Sequence, residues 1–413
     1  MVTRTALVPL TDNRFGSAAR PSMNGAVNRS LAILGSTGSI GTSTLDLIRS
    51  HRSEFSVELL SAGSNAELLA QQIAEFRPRY AYIASPEQRE YLVSRHNRAD
   101  TKILESEDDL LMLLESGVAQ SVVAAIVGFA GLPSVVAALK SGARVALANK
   151  ESLVSAGELV QTLINTSGGE IIPVDSEHSA LFQSLQGVRV HDVKRLVLTA
   201  SGGPFRNSPA EQFSKITVAD ALKHPTWSMG AKISIDSATM VNKALELAEA
   251  CWLFGFSEKV ISIVVHPQSI IHSMVQLVDG SSIAQMGLPD MKVPIAYALS
   301  YPEKRIPDVS AHLDLIEKSP LEFFPLNEQL FSAPQIMRRA LAAGGTAPAV
   351  FTIANDLATQ AFLGGELSFL GIMEVIQRAL ELFPVSSYSS LSDLLELRDT
   401  INGHRPQLFK GIS

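Results

Sequence analysis

From residue 29 onward the apolar positions fall into short runs separated by stretches with helical spacing. The run SLAIL at 30–34 leads into a glycine turn, GSTGSIG from Gly35 to Gly41, after which Leu45, Leu47 and Ile48 follow at the intervals of a helix. A second strand is predicted at 56–60, with further β runs at 80–83, 122–126 and 145–148 and helices at 66–76 and 107–114 between them. Strands alternating with helices in this way build a parallel sheet covered by helices. Beyond about residue 175 the period changes, and strands at 195–199, 260–265 and 271–277 with a helix at 240–254 read as an α+β unit. Pro289, Pro294, Pro302 and Pro307 punctuate a connecting stretch in which no long regular element is expected. Helical spacing returns at 333–343 and 349–363.

The expected organisation is therefore an extension at 1–29, expected to be disordered, a parallel-sheet domain at 30–174, a central α+β domain at 175–290, a connecting segment at 291–312 and a helical bundle at 313–413. One stretch imitates a membrane span: residues 116–139 carry no charge and include VVAAIVGFAGLPSVVAAL. Gly128, Gly131 and Pro133 interrupt it, so it reads as a buried strand, a turn and a helix.

A chain of 413 residues has room for two to four domains, and 46% hydrophobic with 18% charged residues excludes disorder of the whole. Thirty-four Lys and Arg against 41 Asp and Glu leave a net charge of −7, which argues against a broad grip on nucleic acid or anionic lipid. The single cysteine, Cys251, makes an intramolecular disulfide impossible, no Cys/His cluster exists for structural zinc, and a reducing compartment fits. The first 29 residues hold Arg4, Arg14, Arg20 and Arg29 against Asp12, a weak likeness to a transit peptide. Their longest apolar piece, 6–10, contains Pro9 and is too short for a secretory signal, while Met23 offers a second start just ahead of the first strand. The expected setting is the bacterial cytoplasm, with plastid-type targeting by residues 1–29 as the alternative.

The glycine turn is the first chemical signal. Between a strand and a helix it lets a pyrophosphate approach the backbone and aims the helix amides at it, as in a Rossmann-like dinucleotide domain. Alone, the string also fits a tight turn without ligand. About 20 residues on, where an acid would hold an adenine ribose, the chain reads Ser61, Ala62, Gly63, Ser64, Asn65. No acid stands there to repel a 2′-phosphate, which favours NADP over NAD.

In IIPVDSEHSALFQS a β run from Ile171 is read as ending at Asp175 and Glu177, two apart and so on one face. Such a pair calls for a cation, and oxygen ligands suit Mg²⁺ or Mn²⁺; equally, one of the two could cap the next helix. His178 reads as a packed or surface residue. In ISIDSATMVNKALELAEA, Asn242, Lys243 and Glu246 share one side of a helix near its start, where Glu246 could complete a three-carboxylate site and Ser237, Asn242 and Lys243 receive a phosphate. A solvated helix with a Lys–Glu pair is the alternative. SGGPF at 201–205 could form an anion-holding nest, HPTWSMG at 224–230 a lid, and NKES at 149–152 lies after a β run, where α/β sheets put their ligands.

GSTGSIG, AAIVGFAGL, LANKESLV, PVDSEHSALFQSL, SGGPFR, HPTWSMG, KISIDSATMVNKALE, HPQSIIHSMV and GLPDM occur in this order. Together they closely resemble the 1-deoxy-D-xylulose 5-phosphate reductoisomerase family of the non-mevalonate isoprenoid pathway. The resemblance implies a homodimeric NADPH enzyme with a nucleotide domain, a central catalytic domain whose sheet forms the dimer contact, and a C-terminal helical domain. It implies that Asp175, Glu177 and Glu246 bind the divalent metal. Ser201, Ser237, Asn242 and Lys243 would hold the substrate phosphate, Lys150, Ser176 and Glu177 would meet its polar backbone, and His224, Trp227 and Met229 would close over it. Lys150, Glu177 and His224 are the expected catalytic residues, and Thr37, Gly38, Ser39, Ile40, Gly63, Asn65, Asn149, Glu151 and Gly230 the expected NADPH contacts. Three positions depart from the family's usual pattern: Ala244 for Gly, Ser64 for a basic residue, and Asp356 for Glu.

Overall fold

The structure is a computed structural model that describes residues 29–95, 100–227 and 229–412. The expected disorder of the extension falls on residues outside these, except at Arg29. That residue opens the first strand, and its Nη1 donates to the Leu299 carbonyl at 2.6 Å.

Seven strands, β1 (Arg29–Leu34), β2 (Phe55–Ala62), β3 (Tyr80–Ile83), β4 (Lys102–Ile103), β5 (Ser121–Ala124), β6 (Arg144–Leu147) and β7 (Glu170–Pro173), form a wholly parallel sheet in the order β4-β3-β2-β1-β5-β6-β7. The helices between them are α1 (Ser39–Ser50), α2 (Ala66–Phe76), α3 (Pro86–Arg95), α4 (Glu107–Glu115), α5 (Leu132–Lys140) and α6 (Lys150–Ser167). Residues Leu31 to Leu34 have no exposed surface, as expected of a central parallel strand covered on both faces. The strand order reverses between β1 and β5, and the crevice beyond their carboxyl ends is where such sheets bind ligands. The apolar stretch at 116–140 divides into β5, a short 3₁₀ turn at Phe129–Gly131 and α5. No helix among the described residues is long and apolar enough to cross a membrane.

The second sheet has the order β11-β10-β8-β9-β12, built from β8 (Val193–Ala200), β9 (Ile261–Val265), β10 (Ile271–Leu277), β11 (Ser282–Met286) and β12 (Phe324–Pro325). β8 and β9 run parallel and the other pairs antiparallel. Its helices are α7 (Ser176–Ser184), α8 (Val218–Ala221), α9 (Ala231–Ala238) and α10 (Val241–Phe254); α11 (Lys292–Ser300) follows, then α12 (Ala333–Ala343), α13 (Ala347–Leu363), α14 (Phe369–Leu382), α15 (Leu391–Gly403) and α16 (Arg405–Phe409).

Three expectations change. The β run at 171–177 stops at Pro173, and Asp175 is the N-cap of α7 with Glu177 in its first turn, so the two acids do not share a strand face. The connecting segment contains the nine-residue α11, which tolerates Pro294 in its first turn, where a missing amide hydrogen costs no helical bond. Residues 313–332, read as the start of the helical bundle, instead place β12 along the edge of the second sheet before α12 begins.

One helix sits at the centre of everything else. Every residue of α10 except Asn242 is buried, and the helix packs on α6, α7, α9, α12 and α13. Its approach to α6 depends on Gly157, next to a kink at Ala156, because a Cβ there would lie inside the ring of Trp252. Gly157→Ala would gain about 1 kcal/mol in helix propensity. The Trp252 ring, 5% exposed, has nowhere to move, and overpacking of this kind costs about 1–3 kcal/mol. The expected net result is a loss of stability, by up to about 2 kcal/mol, read as a lower urea midpoint at unchanged slope; a midpoint above wild type would refute this packing.

Candidate active site

Three helices begin at one place. α6 starts with Lys150, α7 with Ser176 and Glu177 after its N-cap Asp175, and α10 with Val241, Asn242 and Lys243 after its N-cap Met240. Free amides and the positive ends of three helix dipoles therefore face a common volume, which favours anions. Glu246 enters it from the second turn of α10.

The side chains there are tightly interlocked. Lys150 Nζ contacts Asp175 Oδ2, Asn242 Oδ1 at 2.8 Å and Glu246 Oε1 at 3.5 Å. Lys243 Nζ contacts Glu246 Oε2, Glu177 Oε1 at 2.7 Å and the Thr199 carbonyl at 2.6 Å. Asn242 Nδ2 donates to Glu246 Oε1 at 2.5 Å, and Ser176 Oγ to Glu177 Oε2 at 2.5 Å. Oxygens of Asp175, Glu177 and Glu246 lie within 4.8 Å of one another. Three carboxylates against two ammoniums leave one net negative charge in buried surroundings, and an all-oxygen donor set of this kind fits Mg²⁺ or Mn²⁺. The solvated-helix reading of Lys243 and Glu246 fails, since their side chains are 4% and 0% exposed.

Electrostatics follow from this crowding. Burial on its own would lower the Lys150 pKa, but the facing Asp175 and Glu246 raise it well above the ordinary lysine value. Asp175 moves the other way: burial opposes its ionisation, and Lys150 and His178 more than offset that. Glu246 is pushed up to about 7, by burial first and by the Glu177 charge next.

Behind the acids lies a pair the sequence reading did not single out as functional. His178 is fully buried, with Nε2 2.8 Å from the Glu246 carbonyl oxygen and Nδ1 3.0 Å from Glu249 Oε2 and 3.6 Å from Asp175 Oδ2. It thus ties the backbone of one candidate ligand to the carboxylate of another, as outer partners of metal ligands do. The intervals Asp175 to His178 and Glu246 to Glu249, each one helical turn, were the available signal.

On the sheet side, Gly38 is the N-cap of α1 and the next residues, Ser39 and Ile40, open the helix with no acid in its first turn. Gly35 has φ +83°, and a Cβ there would come 2.7 Å from the Ala125 carbonyl oxygen, so only glycine lets the β1 and β5 ends close into this cradle. Thr37 lies in the same turn, and Gly63 and Asn65 follow β2 at the same end of the sheet; Asn65 caps α2 through the Leu68 amide at 3.1 Å. Asn149 and Glu151 follow β6 there too, but their side chains turn inward. Asn149 Nδ2 donates to the Gly128 carbonyl at 2.8 Å, and Glu151 Oε1 accepts from the Gly128 amide at 3.2 Å. Gly230 reaches the region from the other sheet, as the N-cap of α9.

Ser201 follows β8 and Ser237 lies in α9; Gly203, two residues after Ser201, packs against the Ser237 carbonyl. Trp227 is half-buried, with its ring 6.4 Å from that of His272. His224 organises the turn before it: the Thr226 and Trp227 amides donate to Nδ1 at 3.2 and 2.9 Å, which leaves the ring proton on Nε2, 3.0 Å from Ser201 Oγ.

A dinucleotide-type sheet whose open end meets an acidic, lysine-braced cluster and a serine-rich turn defines an α/β oxidoreductase with two adjoining subsites. Residues 31–157 match the 1-deoxy-D-xylulose 5-phosphate reductoisomerase family, 171–254 that family's C-terminal domain and 286–402 the DXP reductoisomerase C-terminal domain. The 1-deoxy-D-xylulose 5-phosphate reductoisomerase of Geobacter metallireducens is 50% identical over 367 residues, 89% of this chain and 95% of the relative. That of Chlorobium chlorochromatii is 46% identical over 92% of this chain and the whole of the relative. Among solved structures, a DOX-P reductoisomerase in complex with NADPH, fosmidomycin and magnesium is 39% identical with a TM-score of 0.88, covering 92% of this chain and 98% of its own. The Zymomonas mobilis enzyme in complex with NADPH is 38% identical with a TM-score of 0.86, covering 94% and 100%. The chain belongs to the 1-deoxy-D-xylulose 5-phosphate reductoisomerase family.

Burial lowers the His224 pKa below its ordinary value of about 6.5. A depressed histidine pKa means the neutral ring is what the fold supports, so the turn is intact above about pH 6.5 and is lost as pH falls through the depressed folded value. In a Trp252→Phe background, Trp227 emission is expected to hold steady from about pH 8 to 6.5 and to change below, and His224→Gln should abolish that change. A change that persists in His224→Gln would assign it to another group, His272 first.

Proposed function

We propose that this chain catalyses the NADPH- and divalent-metal-dependent rearrangement and reduction of 1-deoxy-D-xylulose 5-phosphate to 2-C-methyl-D-erythritol 4-phosphate. The observation that carries the proposal is the convergence of Asp175, Glu177 and Glu246 with Lys150, Asn242 and Lys243 at three helix starts. Family membership and the ligands of the related solved structures support it.

Asp175, Glu177 and Glu246 would hold the Mg²⁺ or Mn²⁺. Thr37 to Ile40, Gly63 and Asn65 would hold NADPH, with Asn149, Glu151 and Gly230 shaping the nicotinamide side. Bound together, the two cofactors supply a Lewis acid for charge on the substrate oxygens and a hydride for the aldehyde formed by rearrangement. The protein's own residues do the rest. Lys243, Asn242, Ser237 and Ser201 grip the phosphate at the amide-rich start of α10. Lys150 and Ser176 meet the polar carbon chain, and because the surrounding acids keep Nζ protonated, Lys150 acts as a fixed cation and hydrogen-bond donor rather than a base. His224 holds a proton on Nε2, directed at Ser201. Trp227 and Met229 would exclude water, which protects an aldehyde awaiting hydride.

The reading includes a homodimer joined through the second sheet, supported by the outer strand β11, along which Ile283 is 38% exposed. The bacterial relatives support a cytoplasmic setting. Domain limits near 30–174, 175–290, 291–312 and 313–413 belong to the same proposal, with β12 assigned to the central unit.

Glu246→Gln keeps the shape of the site but removes a charge. Its apparent Mn²⁺ affinity, followed by NADPH consumption with 1-deoxy-D-xylulose 5-phosphate, should fall by about 10-fold to 100-fold, while NADPH binding should hardly change. Full wild-type turnover in a chelator, or an unshifted metal titration, would defeat the assignment. With no acid after β2, NADPH should also outcompete NADH; equal kcat/KM for both would contradict that part.

A further inference from the structure

A second buried ionic group links the same parts of the molecule, and of its members the roles above use only Glu151. Lys232, in the first turn of α9, places Nζ 3.0 Å from Glu151 Oε1, 2.7 Å from Asp236 Oδ2 and 3.1 Å from Asp356 Oδ1. Each of these acids is further committed. Glu151 Oε1 accepts from the Gly128 amide, Asp356 Oδ2 from the Phe129 amide at 2.8 Å, and Asp236 Oδ1 from Asn355 Nδ2 at 2.9 Å. Side-chain exposures are 17% for Lys232 and 7%, 2% and 19% for Glu151, Asp236 and Asp356.

Three carboxylates on one ammonium is a poor way to stabilise a fold. The group carries two net negative charges where water cannot screen them well, and an apolar cluster of the same volume would serve stability as well or better. What the group does provide is registry. Glu151 follows Lys150 at the start of α6, Asp236 precedes Ser237 in α9, and Asp356 belongs to α13. One ammonium, carried by α9, therefore ties that helix to the start of α6, each of the two carrying a residue of the site, and α13 and the turn at Gly128 and Phe129 brace it from behind.

We infer that Lys232 is a positioning residue: by gripping Glu151 from α9 it sets the spacing between Lys150 at the start of α6 and Ser237 in α9, and so the length and orientation of sugar phosphate the site accepts. The inference rests on the roles proposed above for Lys150 and Ser237. It predicts a loss of substrate fit that is separable from any loss of stability.

The test uses Lys232→Met, Lys232→Arg and the double variant Lys232→Met with Asp356→Asn, in the full chain. The readouts are kcat and KM for 1-deoxy-D-xylulose 5-phosphate, Kd for fosmidomycin, and the thermal midpoint. Lys232→Met should raise both KM and the fosmidomycin Kd by about 10-fold or more, the scale of a site misplaced by a fraction of an ångström to an ångström. In the double variant, removal of one carboxylate charge should recover the midpoint and leave KM raised. Lys232→Arg, which retains the charge but not the single-atom reach, should fall between wild type and Lys232→Met. KM and Kd within about twofold of wild type in Lys232→Met, or KM recovering in step with the midpoint in the double variant, would overturn the inference. If Lys232→Met alone does not fold, the double and Arg variants carry the same comparison. A wild-type protein that binds fosmidomycin but does not turn over 1-deoxy-D-xylulose 5-phosphate would overturn the proposed function instead, and the Kd ratios would still judge Lys232.

Discussion

The structure depends on holding carboxylates where water reaches them little or not at all. Asp175, Glu177, Glu246 and Glu249 lie within two turns of two helices, at 14%, 17%, 0% and 0% side-chain exposure. Isolated, each would be driven to protonate. Lys150 and Lys243 reach in between them, His178 closes the rear, and three helix starts add the partial positive charge of their amides. The compensation leaves one negative charge among the three candidate ligands and their two lysines, which is what makes the place receptive to a divalent cation.

That requirement explains why the molecule is built around α10. A helix that carries Lys243, Glu246 and Glu249 in a buried setting must be enclosed by partners that satisfy them, and α6 and α7 do so with their own first turns. The parallel sheet presents α6, and the second sheet presents α7 and the turn after β8, so neither alone contains the site. Ala244, where the family usually has glycine, faces into this packing with no exposed surface. Asp356, shorter than the family's usual glutamate, still spans from α13 to the Phe129 amide and to Lys232.

The same geometry separates two kinds of work. Toward the open volume lie the partly exposed Asp175, Ser176, Glu177 and Asn242, with Lys150, Lys243 and Glu246 buried directly beneath them. Those farther behind, His178, Glu249, Lys232 and Asp236, hold the first set at fixed distances. Such second groups limit how far a helix start can drift, and drifts of an ångström decide rates in sites of this kind.

Much of this was legible in the chain. The strand, glycine turn and helix at 30–50, the helix limits at 66–76 and 333–343, and the division of the apolar stretch at 116–140 follow from local pattern and turn chemistry, and the structure repeats them. Ordered motifs across the chain also pointed to the family. Where the reading depended on direction in space it failed: Asp175 and Glu177 meet because a helix begins between them, not because a strand aligns them. The burial of α10, the inward turn of Asn149 and Glu151, and the group around Lys232 have no local signature either, since the partners that join them to other elements lie 21 to 227 positions away in the chain. Short-range periodicity fixes which segments become helices and strands, because those forces act over one or two turns. Which charges end up facing one another is decided only when distant helix starts are packed together, because the free energy of a buried ion depends on every neighbour it meets.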